Sequence, residues 1–121
     1  MTGTSHRRVR AERQGRKGEN AAALYLRAKG WSVLDRRVRT PVGEIDIVVR
    51  KGAIVAFVEV KWRAKAVDLD LAIDQRRLMR VCAAAEAVAH EYLREGDDMQ
   101  IDVILLAPGR LPRHIANAGQ F

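Results

Sequence analysis

The feature that most constrains the fold is a pair of apolar stretches at residues 43–50 and 53–61, separated by the dipeptide Lys51-Gly52. Both stretches are rich in β-branched and aromatic residues, which favour strands. The dipeptide between them suits a tight turn. The sequence therefore predicts a β-hairpin, and this hairpin carries several acidic residues.

The acidic residues are predicted to share one face of the hairpin. Side chains alternate across a strand, so Glu44 and Asp46 share a face of the first arm, as Glu59 and Lys61 do of the second. A two-residue turn at positions 51 and 52 pairs Glu44 with Glu59 and puts all four charges on one side. A three-residue loop would shift the pairing by one residue and separate the acids. The prediction therefore depends on the length of the turn.

Two acids of the hairpin are suited to binding a divalent cation. In the predicted register Asp46 and Glu59 are diagonal neighbours, roughly 7–8 Å apart at the backbone, and such carboxylates need a cation or a proton between them. Lys61 on the same face can hold an attacking water or stabilise a pentacovalent phosphate. The alternative is a solvated edge hairpin with a cross-strand ion pair, and spacing alone does not decide between the two.

The wider sequence resembles a known family. The motifs that carry the resemblance are GEID at 43–46, FVEVK at 57–61, GRKGENAAALYLRAKG at 15–30, and the segments 72–77, 101–103 and 114–118. Together they resemble the YraN-like uncharacterised bacterial proteins, a branch of the PD-(D/E)XK nuclease superfamily related to archaeal Holliday-junction resolvases. The resemblance extends over about residues 15 to 121.

This resemblance implies an activity and a set of site residues. It implies a DNA endonuclease that uses Mg²⁺ or Mn²⁺ and acts on DNA, including branched or flapped forms. It assigns Asp46, Glu59 and Lys61 as the catalytic triad, with Glu19 as a fourth acid and the three carboxylates as metal ligands. On its own, Glu19 is also explained by the dipole of the helix in whose first turn it lies. The remaining accessory candidates are Glu44, and Arg77, which stands where many relatives have a lysine.

Positive charge is concentrated near the N-terminus. Residues 1–17 contain six cations and one acid, a net +5 of the +7 carried by the whole chain. Such a segment is predicted to be disordered when free and to lie along phosphates, although a solubilising extension is the alternative. Arginines near the hairpin could contact phosphates or form the solvated edge of an outer strand. The full predicted DNA-binding set is Arg7, Arg8, Arg10, Arg13, Arg16, Lys17, Arg36, Arg37, Arg39, Arg63 and Lys65.

Composition limits the other classes of protein. The length of 121 residues predicts one domain, at 18–121, after the basic tail. No apolar run approaches the roughly 20 residues that span a bilayer, so no membrane partner is expected. Cys82 is the only cysteine, which excludes a disulfide within the chain. The basic N-terminus lacks the apolar core of a secretory signal, and we expect a cytoplasmic protein.

The order of predicted elements indicates an α/β fold. A helix at 18–29 and a strand at 31–39 precede the hairpin, and a long helix follows, from an Asp74 cap to near Gly96. A buried strand at 101–106 should lie beside the second hairpin arm. The predicted architecture is a restriction-endonuclease-like αβββαβ sandwich with a central mixed sheet flanked by helices.

Three further expectations concern the partner of Asp102, catalytic activity and oligomeric state. Asp102 is the lone charge in the buried strand, and we predict a basic partner for it rather than a metal. The fold names no activity by itself, so a catalytically inactive nucleic-acid-binding protein remains the alternative to the endonuclease. An enzyme that cuts both strands symmetrically would act as a homodimer.

Deleting residues 1–17 tests the role of the basic tail. Because six cations are lost, the affinity for DNA should fall, and the slope of log K against log salt should become shallower by a few units. Fluorescence anisotropy over a series of salt concentrations measures both quantities. Unchanged binding would show that the tail is not part of the DNA-binding surface.

Overall fold

A mixed five-stranded sheet lies between two helices in the computed structural model, which describes residues 18–63 and 75–119. The elements are α1 (18–28), β1 (Ser32–Thr40), β2 (Gly43–Lys51), β3 (Ile54–Trp62), α2 (Gln75–Tyr92), β4 (Asp98–Leu106) and β5 (Arg113–Ile115). The strands are ordered β1-β2-β3-β4-β5, and only β3 and β4 are parallel. The predicted αβββαβ order is confirmed and is consistent with a restriction-endonuclease-like fold. β5 adds a strand that the sequence did not predict.

Two apolar layers attach the helices to opposite faces of the sheet. α1 packs Ala22, Ala23 and Leu26 against one face, and α2 packs an apolar stripe that includes Val81 and Cys82 against the other. Because β3 and β4 are covered on both faces, their sequences are nearly continuous in apolar residues. Cys82 is a buried, free thiol, as expected of a core residue. Neither described helix is long and apolar enough to cross a bilayer.

The hairpin turn lies one residue later than the sequence predicted. Lys51 pairs with Ile54, so that Gly52 and Ala53 form the two-residue turn in place of Lys51-Gly52. Gly52 has a left-handed φ of 61°, which glycine adopts without a steric penalty. A glycine is therefore needed at the first turn position rather than at the second.

The later turn changes the β3 partner of each paired β2 residue, but the new partner lies on the same face of the sheet as the predicted one. Each β2 residue meets a β3 residue two positions beyond the predicted one, and Ile47 with Val58 is the last pair of the ladder. The predicted pairing of Glu44 with Glu59 is therefore wrong. Continued by one step, this register would set Asp46 against Glu59 rather than diagonal to it, but the ladder ends before that step.

β2 does not alternate strictly between the two faces. Ile47 packs in the α1 layer, whereas Ile45, two residues earlier, packs with Val48 in the α2 layer. β1 changes face at the same step, where Arg37 has a φ of 54°. The prediction that alternate side chains from position 44 share one face is therefore wrong, because Asp46 lies at an irregular step of the strand.

The C-terminal elements differ from the prediction mainly in their ends. α2 ends at Tyr92 rather than near Gly96, and β4 begins at Asp98, three residues before the predicted start. Residues 64–74, which include the predicted Asp74 cap, and the N-terminal tail lie outside the described residues. The second helix and the parallel strand that follows it are confirmed.

Asp102 links β5 to β4. Its carboxylate is fully buried, and it accepts hydrogen bonds from the Asn117 backbone N–H at 2.8 Å and from Gln100 Nε2 at 3.0 Å. His114 Nε2 lies 2.7 Å from Asp102 Oδ2. The predicted basic partner of Asp102 is confirmed as His114, which explains why a charged residue is tolerated in this strand.

Replacing Asp102 by alanine should destabilise the protein by roughly 2–5 kcal/mol, because several buried donors lose their acceptor. Asp98→Ala, at the exposed start of the same strand, is the matched control and should change the free energy of unfolding by less than about 0.5 kcal/mol. Urea unfolding followed by circular dichroism measures both. Equal stability of the two variants would contradict the structural role of Asp102.

Candidate functional site

Asp46 lies where β2 and β3 separate. The backbone ladder between these strands ends at Ile47 and Val58. Beyond that point Asp46 Oδ2 accepts a hydrogen bond from the Val60 backbone N–H at 2.7 Å. A side-chain oxygen thus takes the place of a backbone carbonyl, and it holds the Asp46 carboxylate against the segment of β3 that carries Glu59.

Glu59 is a buried carboxylate on the α2 face of the sheet, with 3% of the residue exposed. Its Oε1 accepts a hydrogen bond from Arg77 Nε at 2.6 Å and lies 3.4 Å from Lys61 Nζ. A buried carboxylate requires such compensation. Burial lowers the pKa of Lys61, while the nearby charge of Glu59 opposes that shift. The structure therefore places Asp46, Glu59 and Lys61 in one neighbourhood.

Glu19 approaches the site from α1 and is also buried, with 7% exposed. Its Oε2 accepts a hydrogen bond from Arg37 Nε at 3.0 Å. Its Oε1 lies 3.6 Å from Arg36 Nε and has no hydrogen-bond partner among the described residues. The left-handed backbone of Arg37 is strained for a residue other than glycine. Two arginines that were predicted to contact phosphate are therefore paired with an acid.

The electrostatics of the site concentrate on Asp46. Burial, followed by the charge of Glu59, raises the pKa of Asp46 to about 7, and Glu19 adds to the shift. The Val60 N–H and the charge of Arg77 act in the opposite direction. Loss of hydration and the two neighbouring acids together therefore disfavour the ionised form of Asp46.

The donor set fits a hard divalent cation in part. Carboxylate oxygens are the ligands that Mg²⁺ prefers, and Asp46 and Glu59 offer two of them side by side. In residues 18–63 and 75–119, however, no three His, Cys, Asp or Glu side chains form a group that could hold a metal ion. Arg77 caps Glu59, and Glu19 is held by two arginines. A divalent cation could bind Asp46 and Glu59 if it displaced Arg77 from Glu59.

A cleft of about 220 Å³ opens beside Glu59, and it is lined by Gly43, Glu44, Glu59, Arg77, Arg80 and Val81. Gly43 allows β2 to begin against α2, since a Cβ there would lie 3.1 Å from the Arg80 carbonyl oxygen. The predicted accessory residues Glu44 and Arg77 both line this cleft. Arg80 was not among the predicted site residues. Its spacing of three residues from Arg77 would have placed it on the same face of the predicted helix.

The other predicted DNA-binding residues are distributed along the chain. Arg39 lies on β1, at the edge of the sheet, and Arg63 follows β3, where its backbone N–H donates to the Leu106 carbonyl. Trp62, the aromatic residue beside Arg63, is partly buried and packs against the α1 layer. Lys65 and the six tail cations lie outside the described residues.

Comparison with known proteins identifies a family. The family model described as Uncharacterised protein family UPF0102 matches residues 18–106. A UPF0102 protein of Erythrobacter litoralis is 66% identical over 110 residues, which cover 91% of this chain and 95% of that protein. A UPF0102 protein of Sphingopyxis alaskensis is 56% identical, with 93% and 97% covered. A third, of Rhizorhabdus wittichii, is 49% identical, with 93% and 95% covered.

The pKa of Asp46 predicts how stability depends on pH in metal-free buffer. The folded pKa of about 7 exceeds the ordinary value of 3.8, so folding favours the protonated acid. The stabilisation of the folded state by protonated Asp46 is fully present below about pH 4 and is lost as the pH rises through about 7. The free energy of unfolding should therefore fall over this range more steeply in the parent than in Asp46→Asn.

Urea unfolding in EDTA at a series of pH values measures this difference. Asp98→Asn removes an exposed acid from β4 and is the control, and it should follow the parent. Parallel pH profiles for the parent and Asp46→Asn would contradict the raised pKa.

Proposed function

The chain belongs to the UPF0102 family, the YraN-like family that its sequence resembles, and from its site we propose that it is a divalent-metal-dependent DNA endonuclease. The observation that carries the proposal is the junction of β2 and β3. Asp46 there accepts a hydrogen bond from Val60, the residue between Glu59 and Lys61, and the Lys61 amine lies 3.4 Å from the Glu59 carboxylate. Of these residues, Glu59 also lines the cleft that contains Arg77 and Arg80.

The proposed roles follow from position and charge. Asp46 and Glu59 would hold the cation, Mg²⁺ or Mn²⁺, and Glu19 would support it from α1. When bound, the metal would supply Lewis-acid stabilisation and an activated water for phosphodiester hydrolysis. Lys61, fixed 3.4 Å from Glu59, would orient that water or stabilise negative charge on the phosphate. Burial lowers the pKa of Lys61, which brings the amine closer to proton exchange near neutral pH.

Positive charge supports DNA as the substrate. The net charge of +7 favours a polyanion, and residues 1–17 contain six of the cations. Arg63 adds a cation immediately after the strand that carries Glu59 and Lys61. Branched or flapped DNA is the proposed substrate class, and symmetric cutting of a junction would require two copies of the chain.

A nucleic-acid-binding protein without turnover is the second candidate. Its support is that two acids of the site already have internal counter-ions: Arg77 and Lys61 compensate Glu59, while Arg36 and Arg37 compensate Glu19. A scaffold that no longer binds metal would be stable in this state.

Two substitutions separate the candidates. Asp46→Asn removes a proposed metal ligand, and Lys61→Ala removes the amine beside it, but neither removes the tail cations that are proposed to dominate affinity. For an enzyme, each change should lower metal-dependent cleavage by about a hundredfold or more, while DNA affinity changes by less than about tenfold. Gels and fluorescence anisotropy on single-stranded, duplex, flap and four-way-junction DNA, with Mg²⁺ or Mn²⁺, provide the two measurements.

Asp98→Asn and Arg110→Ala are matched controls, since each removes one exposed charge outside the site. Both should cut as the parent does. Parent binding without any cleavage would favour the binding protein, and equal cutting by all five proteins would indicate a contaminating nuclease.

A further inference from the structure

Two cations share one oxygen of Glu59, and they differ in their freedom to move. Arg77 Nε lies 2.6 Å from Oε1, and Lys61 Nζ lies 3.4 Å from it. The Lys61 side chain is 11% exposed on a central strand, whereas that of Arg77 is 54% exposed on α2. Water can solvate the exposed guanidinium once it leaves, whereas the buried Glu59 would need another cation in its place. Arg77 is therefore the partner of Glu59 that can be exchanged.

A divalent cation would compete with Arg77 for Glu59. Bound between Asp46 and Glu59, it would bring two further positive charges close to both Arg77 and Lys61. Both side chains would be repelled, but only Arg77 is largely exposed and positioned at the border of a cleft. Binding of the metal and the Arg77–Glu59 ion pair therefore oppose each other.

The cleft offers a destination for the displaced guanidinium. Arg77 and Arg80 lie one helical turn apart and line the same cavity. Once freed from Glu59, the Arg77 guanidinium can direct its planar set of N–H donors at a phosphate, for which that geometry is well matched. Glu44 lines the cleft too, so a bound phosphate would need both arginines to outweigh this acid.

We propose that Arg77 is an exchangeable counter-ion. It neutralises Glu59 in the metal-free protein, gives way to the divalent cation, and then binds a phosphate of the nucleic acid together with Arg80. This inference rests on the proposed function and adds a coupling to it. Metal binding releases a phosphate-binding group, so metal and nucleic acid bind cooperatively, each raising the affinity for the other.

Titration of the protein with Mn²⁺ in the absence of nucleic acid tests the exchange directly. Arg77→Gln removes the competing charge, so this variant should bind Mn²⁺ at least about fivefold more tightly than the parent, the lower end of ordinary coupling. Arg94→Gln removes an equivalent exposed charge beyond the far end of α2, and its Mn²⁺ affinity should match that of the parent within about twofold. Isothermal titration calorimetry measures all three, with Asp46→Asn as the variant that loses the site.

DNA binding supplies the second measurement. Ca²⁺ also takes carboxylate oxygens, and we use it to load the site without relying on cleavage. It should raise the duplex affinity of the parent and of Arg94→Gln by about fivefold or more, and most of this gain should be absent in Arg77→Gln. Fluorescence anisotropy with Ca²⁺ and with EDTA gives the comparison.

The outcomes distinguish this inference from the function on which it rests. If the parent binds Mn²⁺, Asp46→Asn does not, and Arg77→Gln binds no more tightly, the exchange is overturned while the metal site stands. If neither the parent nor Arg77→Gln binds Mn²⁺, the exchange of Arg77 and the proposed metal-dependent function are both overturned. A loss of stability in Arg77→Gln without a change in Mn²⁺ affinity would overturn the exchange and identify Arg77 as a link between α2 and β3.

Discussion

The hydrogen bond from the Val60 N–H to Asp46 is the interaction on which the arrangement of the site depends. It lies just beyond the last backbone pair of β2 and β3, and it connects the two strands where their backbone hydrogen bonds have ended. A strand carrying an ordinary side chain at position 46 would leave the Val60 N–H without this acceptor. The same bond holds the half-buried Asp46 carboxylate near Glu59, and loss of hydration, followed by the charge of Glu59, raises the Asp46 pKa to about 7. The geometry of the junction and its unusual electrostatics therefore have one cause.

Charge compensation around this junction is uneven. Glu59 and Glu19 each have two basic neighbours, drawn from β3 and α2 in the first case and from β1 in the second. Asp46 receives a neutral backbone donor instead of an ion pair. Because paired arginines stabilise the folded protein without a metal, the acids can be buried in advance of any ligand. A divalent cation would have to compete with these paired basic side chains for the acids. The proposed function and the proposed role of Arg77 therefore depend on the same ion pairs.

The global fold was largely predictable because its signals are local. Continuous apolar runs predicted the buried strands β3 and β4, and apolar residues at helical spacing predicted α1 and α2. The acids of the hairpin were recognised as candidates from their alternation, although the turn was placed one residue too early. A shift of two residues in the partner leaves its face unchanged, but the alternation on which the prediction depended breaks at Asp46. β5 was missed because three residues between a Pro-rich loop and the chain end carry no periodic signal.

The sequence by itself determined the elements, their order, and which residue types are available for chemistry, because periodicity and composition act over a few neighbouring residues. Tertiary structure alone decided the break of alternation at Asp46, the left-handed Arg37, and the pairing of Arg77 with Glu59. These features bring together residues 18 or more positions apart or depend on the packing of both faces of the sheet. No local pattern records which counter-ion a buried acid will find, since that choice follows from the energy of the whole assembled site.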